Sequence, residues 1–208
     1  MQYPGILQTG APVTTALLVL ILAVSVAGLS FAPRLIAAGL LRPWQVYRGQ
    51  RRYTLLSSGF LHASYGHLLF NALTLWSFGL QLEQTIGSGR FLLLYLAGLL
   101  VSDLGTVWRR RNDPDYASLG ASGAILAVLF ASILYFPMSR IYVMLLPVPI
   151  RAWLFALGYL AYTLYASRFA RDHVNHDAHL GGAVTGIVFV LLTDPAALRR
   201  ALGLLFQD

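Results

Sequence analysis

Between Tyr116 and Ser139 the chain carries no charged side chain. A run of that length enters the hydrocarbon of a bilayer if it is helical, and a helix is the open structure that satisfies its own backbone there. Charges and turn formers crowd its entrance, Arg109-Arg110-Arg111-Asn112-Asp113-Pro114-Asp115. Just inside lies Leu119-Gly120-Ala121-Ser122-Gly123-Ala124-Ile125, with one serine between glycines. The pattern puts Ser122 in the first turn, where backbone N–H groups lack partners and the helix dipole favours negative charge. Such a serine is either a helix cap or a nucleophile.

The rest of the chain repeats the theme. Only 11% of its 208 residues are charged and 57% are hydrophobic, against roughly 25% charged in soluble domains. The expectation is an all-α polytopic membrane protein forming one domain over residues 1–208. Apolar runs at 13–32, 67–82, 91–108, 120–137, 150–167 and 178–193 predict six transmembrane helices, with Pro12 and Pro33 bracketing the first. No basic segment precedes the first run, which reads as a retained helix rather than a cleaved leader. Glu83 and the turn Gly87-Ser88-Gly89 should end the second run, Pro137, Pro147 and Pro149 should break the chain after the fourth, and a short amphipathic tail closes it. Residues 34–66 mix arginine with Trp44, Tyr47, Tyr53 and Tyr65, as expected of a segment lying in the membrane interface.

Cysteine and lysine are absent. That removes thiol nucleophiles, Cys-ligated zinc, Ser–Lys dyads and P-loop chemistry. The net charge of +7 comes from arginines scattered between apolar runs and reads as membrane flanks, not a nucleic-acid surface. Glu83 is the only glutamate and has no His-Glu-x-x-His context, and only Asp103 falls mid-run, so zinc and aspartyl proteolysis lack their parts. His173, His176 and His179 are spaced His-x-x-His-x-x-His, but they drift around a helix axis without a joining carboxylate; no metal or cofactor is expected.

Serine–histidine chemistry remains. With six crossings, the starts of the second, fourth and sixth runs share one membrane level, which aligns His67, Ser122 and His179. Gly182 and Gly186 form a Gly-x-x-x-Gly face that lets the last helix approach the fourth, and Gly120 and Gly123 permit close approach around the serine. His67 and Asn71, at i and i+4, point together and are either a structural polar pair or donors to an oxyanion with the Ser122 amide. Asp103 reads as a structural partner for loop arginines or as a polar group near a helix end.

These motifs resemble the rhomboid family of intramembrane serine proteases. The resemblance runs over about residues 53–194. It rests on Phe60-Leu61-His62 with His67-x-x-x-Asn71, on Phe78-Gly79, Glu83 and Gly87-Ser88-Gly89-Arg90, on Gly120-Ala121-Ser122-Gly123, and on Ala178-His179-Leu180-Gly181-Gly182. It implies a six-helix core of the bacterial type and a Ser122–His179 dyad. The oxyanion hole would be His67, Asn71 and the Ser122 amide. It further implies a membrane-embedded loop at 34–66, a cap at 168–177 and transmembrane protein substrates within the lipid bilayer. The alternative is a weak or inactive rhomboid-like protein that binds membrane clients. Two departures stand out. Tyr53-Thr54 with Arg52 replaces the family's Trp-Arg in the first loop, so its anchoring should differ. Leu126 stands where an aromatic often stacks on the histidine, so His179 should be held less firmly. The resemblance places the chain in a bacterial cytoplasmic membrane with the site facing outward. Ten arginines (five in 34–66, three in 109–111, two in 168–171) would then lie outside and five inside, against the positive-inside rule. Oligomeric state is not legible.

Overall fold

The computed structural model describes residues 10–143, 148–170, 172 and 174–205; His173, Arg171 and Pro147 lie outside them. The chain runs α1 (Pro12–Ser30), α2 (Pro33–Gly39), α3 (Pro43–Tyr47), α4 (Thr54–Ser57) and a 3₁₀ turn (Ser58–Phe60). Then follow α5 (Tyr65–Ile86), α6 (Ser88–Arg110) and α7 (Ser122–Tyr135). A two-residue antiparallel pair, β1 (Arg140–Ile141) and β2 (Ile150–Arg151), leads to α8 (Ala152–Phe169), α9 (His176–Thr193) and α10 (Pro195–Leu205).

Helices α1, α6 and α9 are each long and apolar enough to cross a membrane. Large apolar side chains on the outer faces stay exposed, among them Val19, Phe70, Trp76, Leu93, Leu157 and Leu192. A helical bundle whose outside is as apolar as this is an integral membrane protein. Its centre is α7, where every residue from Gly123 to Ile133 is buried, and α5, α6 and α9 pack around it. With 14 residues, α7 is about 21 Å long, short of a hydrocarbon core of about 30 Å. Its terminal residues, Ser122 and Tyr135, are half-buried.

The interfacial segment is a string of short helices tied down by arginine. Arg51, at φ +48, donates to the Ala37 and Ala38 carbonyls, and the Tyr53 hydroxyl joins it on Ala38 at 3.0 Å. The loop at Tyr53-Thr54 is thus anchored by Arg51 together with the Tyr53 hydroxyl. Arg48 lies 4.1 Å over the Trp44 ring and Arg111 4.1 Å over Trp108. Arg109 pairs with Asp177 at 3.1 Å. Arg48, Arg51 and Arg111 are thus engaged in aromatic and backbone contacts, which weakens a charge count as a guide to orientation.

The turn expected at Gly87-Ser88-Gly89 is found, but the helix does not stop at Glu83. Helix α5 continues to Ile86, and Gly87 at φ +83 makes the turn into α6. Glu83 is buried and accepts from the amides of Val13 at 3.0 Å and Thr14 at 2.7 Å, and from the Ser88 hydroxyl at 2.6 Å. A carboxylate here satisfies the orphan donors and the positive end of α1 together. Glu83→Ala should strand those amides and lower stability by about 3 kcal/mol, whereas Ser88→Ala should cost about 1 kcal/mol. Thermal unfolding of the two variants in detergent micelles checks the order; equal midpoints would refute it.

Candidate functional site

The approach to α7 is stitched to the interfacial segment. Leu41 and Ser118 exchange backbone hydrogen bonds at 3.0 Å, and the Gly120 amide donates to the Ser58 carbonyl at 3.0 Å. Ser58 in turn donates its hydroxyl to Asp103 at 2.9 Å. The buried Asp103 therefore supports this loop through Ser58, not through the loop arginines. Gly120 has φ +129, and a Cβ there would meet the His67 ring at 2.6 Å. Glycine is required twice over, by backbone conformation and by space.

Residue Ala121, not Ser122, is the N-cap of α7, with no side-chain cap bond. The Ser122 hydroxyl instead lies 3.0 Å from His179 Nε2. The histidine is placed by α9, whose start is fixed twice: Asn175 caps it by accepting from the Ala178 amide at 3.1 Å and donates to Thr106 of α6 at 3.0 Å. A Cβ on Gly182 would sit 2.1 Å from the Gly123 carbonyl oxygen, and one on Gly186 would sit 2.3 Å from that of Ala127. Without side chains at these positions α9 lies directly on the backbone of α7, and the imidazole reaches the hydroxyl.

His179, expected to lack a stacked aromatic at Leu126, has another ring partner. Leu126 is buried in a cluster with Leu129, Phe130 and Ala183. Tyr159 of α8 takes the place instead. Its hydroxyl lies 3.0 Å from His179 Nδ1, and the two rings are nearly parallel, at 29°. Spacing within the α8 run gave no reason to single out Tyr159 among three tyrosines. The signal was the stripe Ala152, Tyr159, Thr163, Ala166, whose small and polar members are buried on one helix face.

Ser122, His179, His67 and Asn71 all line one cavity of about 960 Å³. Asn71 is buried, and its Nδ2 has no hydrogen-bond partner among the described residues. An amide donor left open in an apolar bundle is costly unless an acceptor arrives. Behind His67, the His62 ring packs edge-on with centroids 4.8 Å apart. Ser25 donates to the Phe60 carbonyl at 3.0 Å, so His62 Nδ1, 2.8 Å from the same hydroxyl oxygen, is the donor to it. Burial and then the neighbouring His67 push His62 down to about 3. Fully buried, it is a structural wedge against His67.

On the other side, His176 Nε2 lies 3.1 Å from Asp172, and its ring meets His179 edge-on with centroids 6.0 Å apart. Among the described residues, no three metal-ligating side chains are grouped to hold an ion. The segment between α8 and α9 is shorter than the expected 168–177, since α8 runs to Phe169 and α9 starts at His176.

Residues 44–195 match the Rhomboid domain family. Rhomboid protein 1, mitochondrial, of Saccharomyces cerevisiae is 32% identical over 141 residues, covering 66% of this chain and 41% of that protein. Rhomboid protease GluP of Bacillus subtilis is 34% identical over 134 residues, covering 64% and 24%. Presenilin-associated rhomboid-like protein, mitochondrial, of Homo sapiens is 36% identical over 145 residues, covering 65% and 36%. The chain thus spans less than half the length of each of these relatives. The matched segment contains the serine between glycines, the histidine above the Gly-x-x-x-Gly face and the His67–Asn71 pair, and on that match the chain belongs to the rhomboid family.

Proposed function

We propose that the protein is an intramembrane serine endopeptidase that cleaves transmembrane substrates with a Ser122–His179 dyad. The observation that carries this reading is the 3.0 Å contact between the Ser122 hydroxyl and His179 Nε2 in a cavity that Asn71, with its unpaired amide donor, also lines. Ser122 Oγ attacks the scissile carbonyl carbon while His179 takes its proton. The oxyanion is met by the Ser122 amide at the start of α7, by Asn71 Nδ2 and by His67. His179 then passes the proton to the leaving amine. Water, activated by the same imidazole, hydrolyses the acyl-serine. The dyad needs no cofactor.

The relative GluP is named as a protease, which supports the reaction class. The short α7 supports a site below the bilayer surface, reached by water through the cavity. In this reading α1, α5, α6, α7, α8 and α9 are the six crossings of a single domain. The bacterial cytoplasmic membrane expected from the sequence gains no support from the relatives, since the yeast and human proteins are named as mitochondrial.

The purified protein in detergent should react covalently with a fluorophosphonate probe and cleave a reconstituted transmembrane peptide. Absence of both would defeat the proposal in favour of a client-binding rhomboid-like protein. Asn71→Ala should lower kcat by about 10²- to 10³-fold with KM little changed, as for removal of one oxyanion donor. Steady-state cleavage of the peptide checks this; a KM effect alone would make Asn71 a substrate-binding residue.

A further inference from the structure

A Ser–His dyad leaves one question open at the imidazole. For Nε2 to accept the serine proton, the ring hydrogen must sit on Nδ1, and whatever accepts from Nδ1 decides the tautomer. Among the described residues the group at Nδ1 is not a carboxylate but the Tyr159 hydroxyl, at 3.0 Å. We propose that Tyr159 is the positioning residue for His179: its phenol oxygen accepts the Nδ1 proton and so leaves on Nε2 the lone pair that faces Ser122. The proposal rests on the protease reading and adds a third member to the dyad.

The surroundings make Tyr159 suited to the task. Its ring is clamped by Phe155, with centroids 5.5 Å apart at 24°, and by Phe130 at 6.0 Å. Leu126 belongs to the same cluster. The smaller leucine on α7 accompanies an aromatic that comes from α8, so the support of the histidine has moved from one helix to its neighbour. A neutral phenol orients the ring without placing a second charge in the apolar bundle, where an unpaired carboxylate would be costly. As His179 gains a proton in the reaction, the Nδ1–H to phenol hydrogen bond becomes charge-assisted and strengthens. The bond therefore contributes more to the transition state than to the resting enzyme.

Tyr159→Phe keeps the ring and removes only the oxygen. The test measures fluorophosphonate labelling rates of the full chain in detergent across pH, beside wild type and Ser122→Ala. Tyr159→Phe should label about 10- to 100-fold more slowly. Its half-maximal rate should also move to lower pH than in wild type, while Asp172→Asn, beside His176, moves the profile without a comparable rate loss. Peptide cleavage should show the loss in kcat, not KM. A wild type that labels together with a Tyr159→Phe variant that labels within twofold, at an unmoved pH profile, overturns the positioning role alone. A wild type that does not label overturns the protease reading and this role with it. If Tyr159→Phe unfolds, 3,5-difluorotyrosine at position 159 retains the hydroxyl with a poorer acceptor oxygen. It should slow labelling at unchanged thermal stability, and an unchanged rate refutes the role.

Discussion

Ser122→Ala should abolish fluorophosphonate labelling and reduce peptide cleavage by about 10⁴-fold or more, with the folded protein intact. The size follows from what is removed. In a serine–histidine mechanism the nucleophile and base act as a unit, and what remains without them is binding and oxyanion stabilisation, too little to sustain covalent turnover. Stability should barely change, since Ser122 is not the N-cap of α7 and its hydroxyl has His179 as its hydrogen-bond partner. His179→Ala should match it in activity. The double variant should be no worse than either single one, because the two losses are the same loss. The measurement is gel-based labelling with parallel thermal unfolding. Cleavage persisting in either single variant would remove the dyad from the mechanism.

Gly182→Ala should have the second-largest effect, and by a different route. The added carbon would sit 2.1 Å from the Gly123 carbonyl oxygen and 2.8 Å from its carbon. Those are backbone atoms of a fully packed helix, so no side chain can swing away. Helix α9 must shift by about 1 Å or more to reach ordinary contact. That displacement carries His179 away from Ser122, and a misplacement of this size costs about 10²-fold in rate. Overpacking also costs about 1–3 kcal/mol of stability. Gly89→Ala is the control, since nothing lies within 4 Å of the added carbon. Labelling rates and unfolding midpoints of the two variants should separate clearly. Full activity in Gly182→Ala would show that helix contact at this point does not set the geometry of the site.

The sequence made some parts of this arrangement legible because their signals are local. Gly120-Ala121-Ser122-Gly123 and Ala178-His179-Leu180-Gly181-Gly182 each announce a close backbone approach next to a reactive side chain. Helix parity put the two at one level, and the structure brings them to 3.0 Å. His67 and Asn71 share a face by simple i, i+4 spacing. The parts not legible depend on how one element is rotated against a distant one. Tyr159 faces His179 because of the rotation of α8, which its apolar run does not encode strongly. Asp103 meets Ser58 rather than an arginine because α6 and the 3₁₀ turn pack together. Arg51 anchors the loop with its backbone at φ +48, a conformation spacing does not announce. The boundaries at Glu83, Phe169 and His176 were missed by hydropathy because polar residues inside a helix end look like the loops beyond it.

The contact between Glu83 and the start of α1 bears on how this protein can vary. The family match begins at residue 44, so α1 lies outside it, while Glu83 lies within. Yet Glu83 recognises α1 through the amides of Val13 and Thr14. Backbone amides are common to every residue except proline. The half-buried Val13 can therefore change its side chain without losing the joint, whereas Thr14, fully buried against Gly79, is held by packing as well. The junction between the shared core and the outer helix is a lock that reads shape and polarity, so the sequence constraint on α1 falls on its inward face, Thr14, Leu17, Ile21, Ser25 and Gly28, and not on the residues that turn outward.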